Sequence, residues 1–332
     1  MVKKLIAGTL LLATHGAYAD FNLIALGSKG GIQDGNLTAF MMKSEADNDY
    51  IMLDAGALVS GLIAAENKAL ASIVVPDGSP YTKVGYVLRE RIKGYFISHA
   101  HLDHLAGMVI ASPDDSSKPI YSLASVNQSI SDNYFNWESW PNFANEGEGL
   151  HIKKYIFTDL TPNHWAPVAH TSLQVLALPL AHSGMESTAF VFKNSMGEVM
   201  AYLGDTGPDK VEKSNNLDVL WTVLAKYAKK GKLAGIVIEV SYDNSVPDSA
   251  LYGHLTPHWL LEELSVLAVK SGGSHALKGL NVVVSHIKYS LKKGERPEQV
   301  IVKQLAEGNQ LGVNFIFPKQ GDGYRLEAAA RE

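Results

Sequence analysis

Five short apolar runs in this chain end on a residue able to bind a metal or move a proton, and that coincidence restricts the fold strongly. "GYFISH" runs into His99, "LQVLALPLAH" into His182, "EVMAYLGD" into Asp205, "LAGIVIE" into Glu239 and "LNVVVSH" into His286. Runs of this length, rich in apolar or β-branched residues and bounded by glycine or polar residues, read as buried strands. Burying polar groups without partners is costly. Five of them at corresponding strand ends therefore imply strands whose C-terminal ends converge on one edge, where layered α/β folds build their sites.

Further runs, "FNLIALG", "LTAFMM", "DYIMLDAG", "KPIYSL" and "TAFVFK", add strands, with "GSKGGIQDGN" as turn material. Helical periodicity appears in "NNLDVLWTVLAKYAKKG", which ends on lysines and glycine. In "LTPHWLLEELSVLAVKSGG", Thr256 is placed to cap a helix with Pro257 at its first position and glycines at its end. No repeat, low-complexity tract or Pro-rich linker divides the chain. Residues 20–332 are expected to form a single α/β domain with mixed sheets and helices outside, and "LEAAARE" at 326–332 reads as a helical or frayed tail.

The first nineteen residues have the layout of a cleaved secretory signal. Lys3 and Lys4 precede an apolar run from Leu5 to Ala13, and Ala17 and Ala19 stand three and one residues before a cut ahead of Asp20. That run is well short of the ~20 residues that span a bilayer. The expectation is an exported, periplasmic or secreted protein, with no membrane attachment after signal cleavage. A net charge of -5 gives no general affinity for a nucleic-acid polymer or an anionic membrane. The chain has no cysteine, which excludes disulfides and thiolate metal sites. Any transition-metal site must use His, Asp or Glu.

That turns attention to "HAHLDH", where His99, His101, Asp103 and His104 fall within six positions. On a loop leaving a strand, His99 and His101 can face one point while Asp103 and His104 face an adjacent one. Imidazole and carboxylate donors suit Zn, Mn or Fe at two close positions. His15 lies in the signal, and His151, His164, His170 and His275 fall in polar or loop stretches that read as surface.

The H-x-H-x-D-H pattern resembles that of the metallo-β-lactamase superfamily, whose αβ/βα sandwich packs two mixed sheets together with helices outside. The resemblance implies one metal on His99, His101 and His182, a second on Asp103, His104 and His286, and Asp205 bridging them together with a hydroxide. Asp54 in "LDAG" matches an early structural aspartate of the superfamily. Finer segments, "HAHLDHLAGMVIASP", "FNWESWPNF", "GGIQDGNLTAF", "HSGMESTAFVF", "EVSYDN", "GHLTP" and "SHIK", resemble class II cyclic-nucleotide phosphodiesterases of the bacterial periplasmic type. This implies hydrolysis of 3′,5′-cyclic nucleotides, cyclic AMP first among them, to 5′-nucleotides with two divalent cations, Zn2+ ahead of Mn2+ or Fe2+.

The chemistry can be argued from the residues. Two metals about 3.5–4 Å apart activate a bridging water and stabilise both oxygens of an in-line displacement at phosphorus. His254 in "YGHLTP" is the expected general acid for the 3′-oxygen, with Glu239 holding its imidazole and Asp103 contributing at the metals. His258, four residues on, is expected on a helix surface. Phe135, Trp137 and Trp140 are candidates to stack on a purine. Ser183, Ser187, Thr206, Lys288, Asn36 and Asp34 are candidates for hydrogen bonds to substrate or to groups behind the ligands. A homodimer is compatible with the sequence. Two other readings stand beside this one: another ester hydrolase of the same superfamily, and a non-catalytic exported cyclic-nucleotide binder.

Overall fold

The alternation within the apolar runs decides how the layers pack, because successive strand residues face opposite sides of a sheet. The structure is a computed structural model that describes residues 20–328. The signal expected at residues 1–19 therefore lies outside the described residues. In chain order the strands are β1 (Phe21–Gly27), β2 (Lys29–Gly30), β3 (Ala39–Ser44), β4 (Tyr50–Leu53), β5 (Ile92–Phe96), β6 (Lys118–Ser122), β7 (Tyr155–Asp159) and β8 (Trp165–Pro167). The second half adds β9 (Gln174–His182), β10 (Met185–Lys193), β11 (Val199–Leu203), β12 (Leu233–Glu239), β13 (Asn281–Ser285), β14 (Ile287–Lys288), β15 (Asn314–Ile316) and β16 (Gly323–Leu326). The helices are α1 (Val59–Ala65), α2 (Lys83–Tyr86), α3 (Leu102–Ala111), α4 (Ala124–Asn133), α5 (Asp209–Glu212), α6 (Asn216–Ala228), α7 (Pro257–Ser271) and α8 (Pro297–Gly308).

Two seven-stranded mixed sheets form the body, ordered β16-β1-β3-β4-β5-β6-β7 and β15-β13-β12-β11-β10-β9-β8. In β9, Val175 and Ala177 join the core between the sheets, whereas Leu176, Leu178 and Leu180 pack under helices together with Leu217, Leu220 and Leu224 of α6. In β10 and β11 the same split sends Phe190, Phe192, Met200 and Tyr202 inward and Val191, Ala201 and Leu203 outward. Sheets covered on both faces need such continuous apolar strands. Phe96 locks the two sheets together, edge-on to Phe190 at 5.4 Å and to Phe192 at 4.9 Å.

Both expected helices form. Thr256 accepts a hydrogen bond from Trp259 N at the start of α7, and Gly272, with φ +117°, ends it. Two expectations change. Asp103 and His104 stand in the first turn of α3 rather than on a free loop. Leu326 ends a strand instead of opening a tail, pairing with Phe21, because the apolar edge of β1 needs a neighbour.

Strand direction then gathers the site. β4, β5 and β6 run parallel, as do β11, β12 and β13, and β9 shares the direction of β11 because β10 is antiparallel to both. Asp54, His99, His182, Asp205, Glu239 and His286 all lie at or within three residues of the C-terminal ends of these strands.

Candidate metal centre

Around Asp205 the histidines present bare ring nitrogens because their other nitrogens are engaged elsewhere. His182 Nδ1 donates to Gly253 O at 2.8 Å, and His104 Nδ1 donates to Asp54 Oδ2 at 2.7 Å. Ser98 Oγ gives its proton to Asp54 Oδ2 at 2.7 Å, so it accepts from His99 Nδ1 at 3.0 Å. Ser241 Oγ gives its proton to Glu239 Oε2 at 2.7 Å and accepts from His286 Nδ1 at 2.9 Å. Each partner fixes a tautomer and turns the Nε2 lone pair inward, as partners behind metal-binding histidines do.

The inward atoms are close. His99 Nε2 lies 2.9 Å from His101 Nδ1, and His182 Nε2 lies 3.4 Å from the same atom. On the other side His286 Nε2 stands 3.1 Å from Asp103 Oδ2 and 3.2 Å from Asp205 Oδ2, with His104 Nε2 3.3 Å from Asp205 Oδ1. His104 Nε2 is buried and makes no hydrogen bond. The donor sets His99–His101–His182 and Asp103–His104–His286 each have ligand atoms within 4.8 Å of one another. A buried imidazole nitrogen without a hydrogen bond, beside crowded nitrogens and a buried carboxylate, suits divalent cations.

The electrostatics agree. Burial pushes His99, His101 and His182 below the usual imidazole range, favouring the neutral form that binds metal. Burial works against Asp103 and Asp205 as charged groups, yet the surrounding histidines, His286 and His104 above all, hold both well below the usual carboxylate range. His104 is the exception among the imidazoles. Burial opposes its charge, but Asp205 and Asp54 hold its protonated form well above the usual value, so a cation would have to displace that proton.

Backbone conformation is committed to this arrangement. Asp54 and His286 have φ +52° and +58°, in the left-handed region that is uncommon for non-glycine residues and in which Asp and His are enriched. Gly30 leaves space for the His286 ring, since a Cβ there would stand 2.3 Å from it.

Glu239 and His254 form a separate unit. Glu239 Oε1 accepts from His254 Nδ1 at 2.8 Å and from Thr206 N, while Oε2 accepts from Ser241 N and Oγ. With its lone pairs used in this way, Glu239 is a holder of His254 rather than a ligand. The other ring nitrogen, His254 Nε2, lies 2.7 Å from Lys288 Nζ. Burial opposes a charge on His254, but Glu239 raises its affinity for a proton.

A family profile described as cAMP phosphodiesterases class-II matches residues 19–321. The chain belongs to the class II phosphodiesterase family. Among its relatives, a 3′,5′-cyclic-nucleotide phosphodiesterase of Aliivibrio fischeri is 62% identical over 92% of this chain and 93% of that protein. A probable 3′,5′-cyclic-nucleotide phosphodiesterase of Yersinia pestis is 43% identical over 93% and 90%. The crystal structure of unliganded yeast PDE1 superposes with a TM-score of 0.77 at 23% identity, covering 93% of this chain and 99% of that one. A metallo-β-lactamase fold protein, YhfI of Bacillus subtilis, superposes at 0.58 with 14% identity, covering 92% and 99%. At those identities the two structures establish the sandwich fold alone.

Several residues expected at the substrate of this phosphodiesterase lie elsewhere. Phe135 is fully buried in the core, its ring 5.9 Å from that of Tyr155. Trp140 donates to Ser112 Oγ at 3.0 Å, at the far end of α3. The ten residues of that helix set it about 15 Å along the axis from the ligands at the first turn. Trp137 is tied to Leu150 O on the surface. The three aromatics therefore do not form a purine platform. Thr206 and Ser187 are buried behind the ligands and cannot reach a substrate.

Ser183 stays exposed beside His182, and Asn36 and Asp34 line an open cavity described below. His164, His170, His258 and His275 are exposed and His151 is half-buried, all away from the cluster. The groups that sequence reading passed over are those behind the ligands: Ser98, Ser241, Tyr202 and the Gly253 carbonyl. Tyr134, whose hydroxyl donates to Ala100 O at 2.7 Å, braces the ligand loop from α4. Gly31 N also donates to Asp103 Oδ2 at 2.8 Å. Ser98 was available from its place directly before His99; the others become neighbours only on folding.

Proposed function

We infer that this class II phosphodiesterase opens the 3′,5′-cyclic phosphate of cyclic AMP to give the 5′-nucleotide, with two divalent cations, zinc in first place, held by His99, His101, His182, Asp103, His104, His286 and Asp205. The observation that carries the reading is the orphaned, buried His104 Nε2 among inward-turned imidazoles around Asp205. When bound there, divalent cations would neutralise the phosphodiester charge and supply an activated water. The chain supplies the rest. Ser98, Asp54, Ser241 and the Gly253 carbonyl keep the ring tautomers fixed, and the Gly31 amide orients Asp103.

His254 delivers the proton to the departing 3′-oxygen. Its Nδ1–H is held by Glu239, so its Nε2 and the neighbouring Lys288 ammonium share the proton available on the open side. A protein that only bound nucleotide would have no use for this donor. Export is supported by Lys3, Lys4, the Leu5–Ala13 run and Ala17 and Ala19. Asp20, the first residue after the expected cut, is buried and its carbonyl accepts from Glu45 N at 2.9 Å, so the expected mature chain begins on a residue built into the fold. Export predicts a mature chain beginning at Asp20 in the periplasmic fraction; a full-length cytoplasmic product would contradict it.

The test of function follows cyclic AMP conversion to AMP before chelation, after chelation and after zinc readdition. Loss and recovery are expected. Unaltered turnover in chelated, metal-free protein would refute the reading.

A further inference from the structure

Beside the centre lies a cavity of about 530 Å³, lined among others by Ile32, Asp34, Asn36, Tyr289, Leu291 and Gln320. Small-molecule sites span roughly 300–1,000 Å³. Its two walls are direct continuations of residues in the site. Gly31 N donates to Asp103, and Ile32 follows; Lys288 reaches His254, and Tyr289 follows. The short parallel pair β2–β14, with Ile287 opposite Lys29 and Lys288 opposite Gly30, fixes the spacing of those walls. A ligand whose charged group engages the centre can lay its remainder along them.

The cavity combines apolar faces with a polar floor. Ile32, Tyr289 and Leu291 are 60%, 51% and 84% exposed, so large apolar surface stands open beside the charged centre. On the floor, Gln320 Nε2 is anchored to Leu26 O and Gly35 O, Asn36 Oδ1 accepts from Ser28 N, and Asp34 Oδ1 accepts from Gly35 N. Each of these cavity-lining residues keeps a second polar atom with no hydrogen bond among the described residues: Gln320 Oε1, Asn36 Nδ2 and Asp34 Oδ2. Two acceptors and one donor match the edge of an adenine, which offers an amino donor next to a ring-nitrogen acceptor. The aromatic and aliphatic side chains match its faces.

The geometry points to this cavity as the nucleobase subsite, with the base held between Ile32 and the Tyr289–Leu291 wall and its edge read by Asp34, Asn36 and Gln320. This rests on the cyclic-nucleotide reading above. It moves the stacking role from Trp137 and Trp140 to the loop that follows His286.

The test compares wild type with Tyr289→Ala, Leu291→Ala, Asp34→Asn and the control Tyr289→Phe. Cyclic AMP and the base-free ester ethyl 4-nitrophenyl phosphate serve as substrates, and AMP and ribose 5-phosphate as competing inhibitors. Tyr289→Ala should raise KM for cyclic AMP about fivefold or more, the effect of removing one stacking partner, with kcat for the base-free ester unchanged. The advantage of AMP over ribose 5-phosphate as inhibitor should shrink by the same factor, and Tyr289→Phe should restore it. These side chains are exposed, so melting temperatures should match wild type, which verifies folding. Unchanged KM and unchanged AMP preference in all three loss variants would overturn the subsite. Wild-type protein that hydrolyses the aryl ester but not cyclic AMP would overturn the reading of function instead, and the subsite with it.

Discussion

Asp54 makes no contact with substrate in this account, yet replacing it with asparagine should damage both stability and metal binding. Its Oδ2 accepts from Tyr202 OH at 2.5 Å, Ser98 Oγ at 2.7 Å and His104 Nδ1 at 2.7 Å, and its Oδ1 accepts from Ser98 N at 2.7 Å. An asparagine amide would turn its oxygen toward the three donors, which places its NH2 against the Ser98 amide. That leaves a buried backbone donor without an acceptor, costing about 1–3 kcal/mol. The three remaining bonds lose their charge assistance, which takes the total to roughly 3–5 kcal/mol. The folded state should survive, because domains carry about 5–15 kcal/mol, with Tm lower by on the order of 10 °C. Loss of orientation at His104 should weaken metal binding about 10–100-fold. Differential scanning calorimetry of metal-free protein and competition with a chromophoric chelator give the two numbers. Wild-type values for both would refute the hub role assigned to Asp54.

Three other perturbations separate parts of the account. His254→Ala should lower kcat on cyclic AMP about 10²–10⁴-fold with metal content intact. The same variant should lose far less on an ester with a 4-nitrophenolate leaving group, which needs no proton; equal losses on both substrates would remove His254 as the proton donor. Gly30→Ala would place a Cβ 2.3 Å from the His286 ring, so metal stoichiometry measured by atomic emission should fall, and a fully loaded variant would show that the loop yields cheaply. Burial, aided by Asp115, pushes the Tyr95 and Tyr155 hydroxyls well above 10.0, the usual tyrosine value. Folded-state values above the unfolded value mean stability that is complete below pH about 10 and lost as pH rises beyond it. Absorbance at 295 nm should therefore show these two ionising only with unfolding, and smooth ionisation of all tyrosines before any loss of circular dichroism would contradict this.

The strand-end placement of His99, His182, Asp205, Glu239 and His286 was legible in the sequence because short, continuously apolar runs bounded by glycine or polar residues write their own ends. α7 was legible for a similar local reason, through Thr256, Pro257 and Gly272. The start of α3 inside the H-x-H-x-D-H motif was not, since its N-cap, His101, makes no capping hydrogen bond, Leu102 is exposed, and the one start signal, Asp103 in the first turn, reads equally as a metal ligand. The misplacement of Phe135, Trp137 and Trp140 has another cause. An aromatic segment looks the same in sequence whether it faces a ligand or a core, and only packing against Tyr155 and Ser112 separates them. The hydrogen bonds that set tautomers join the end of β4 to α3 and the loop after β12 to the loop after β13, so no local pattern contains them.

If seven side chains hold two divalent cations, hydrolysis should depend on both. Titrating zinc into metal-free protein at micromolar concentration, with cyclic AMP turnover read at each addition, tests it most directly. Activity should rise from background and break sharply at two zinc ions per chain. Full turnover before any zinc is added, or saturation at one ion with the second adding nothing, would contradict it.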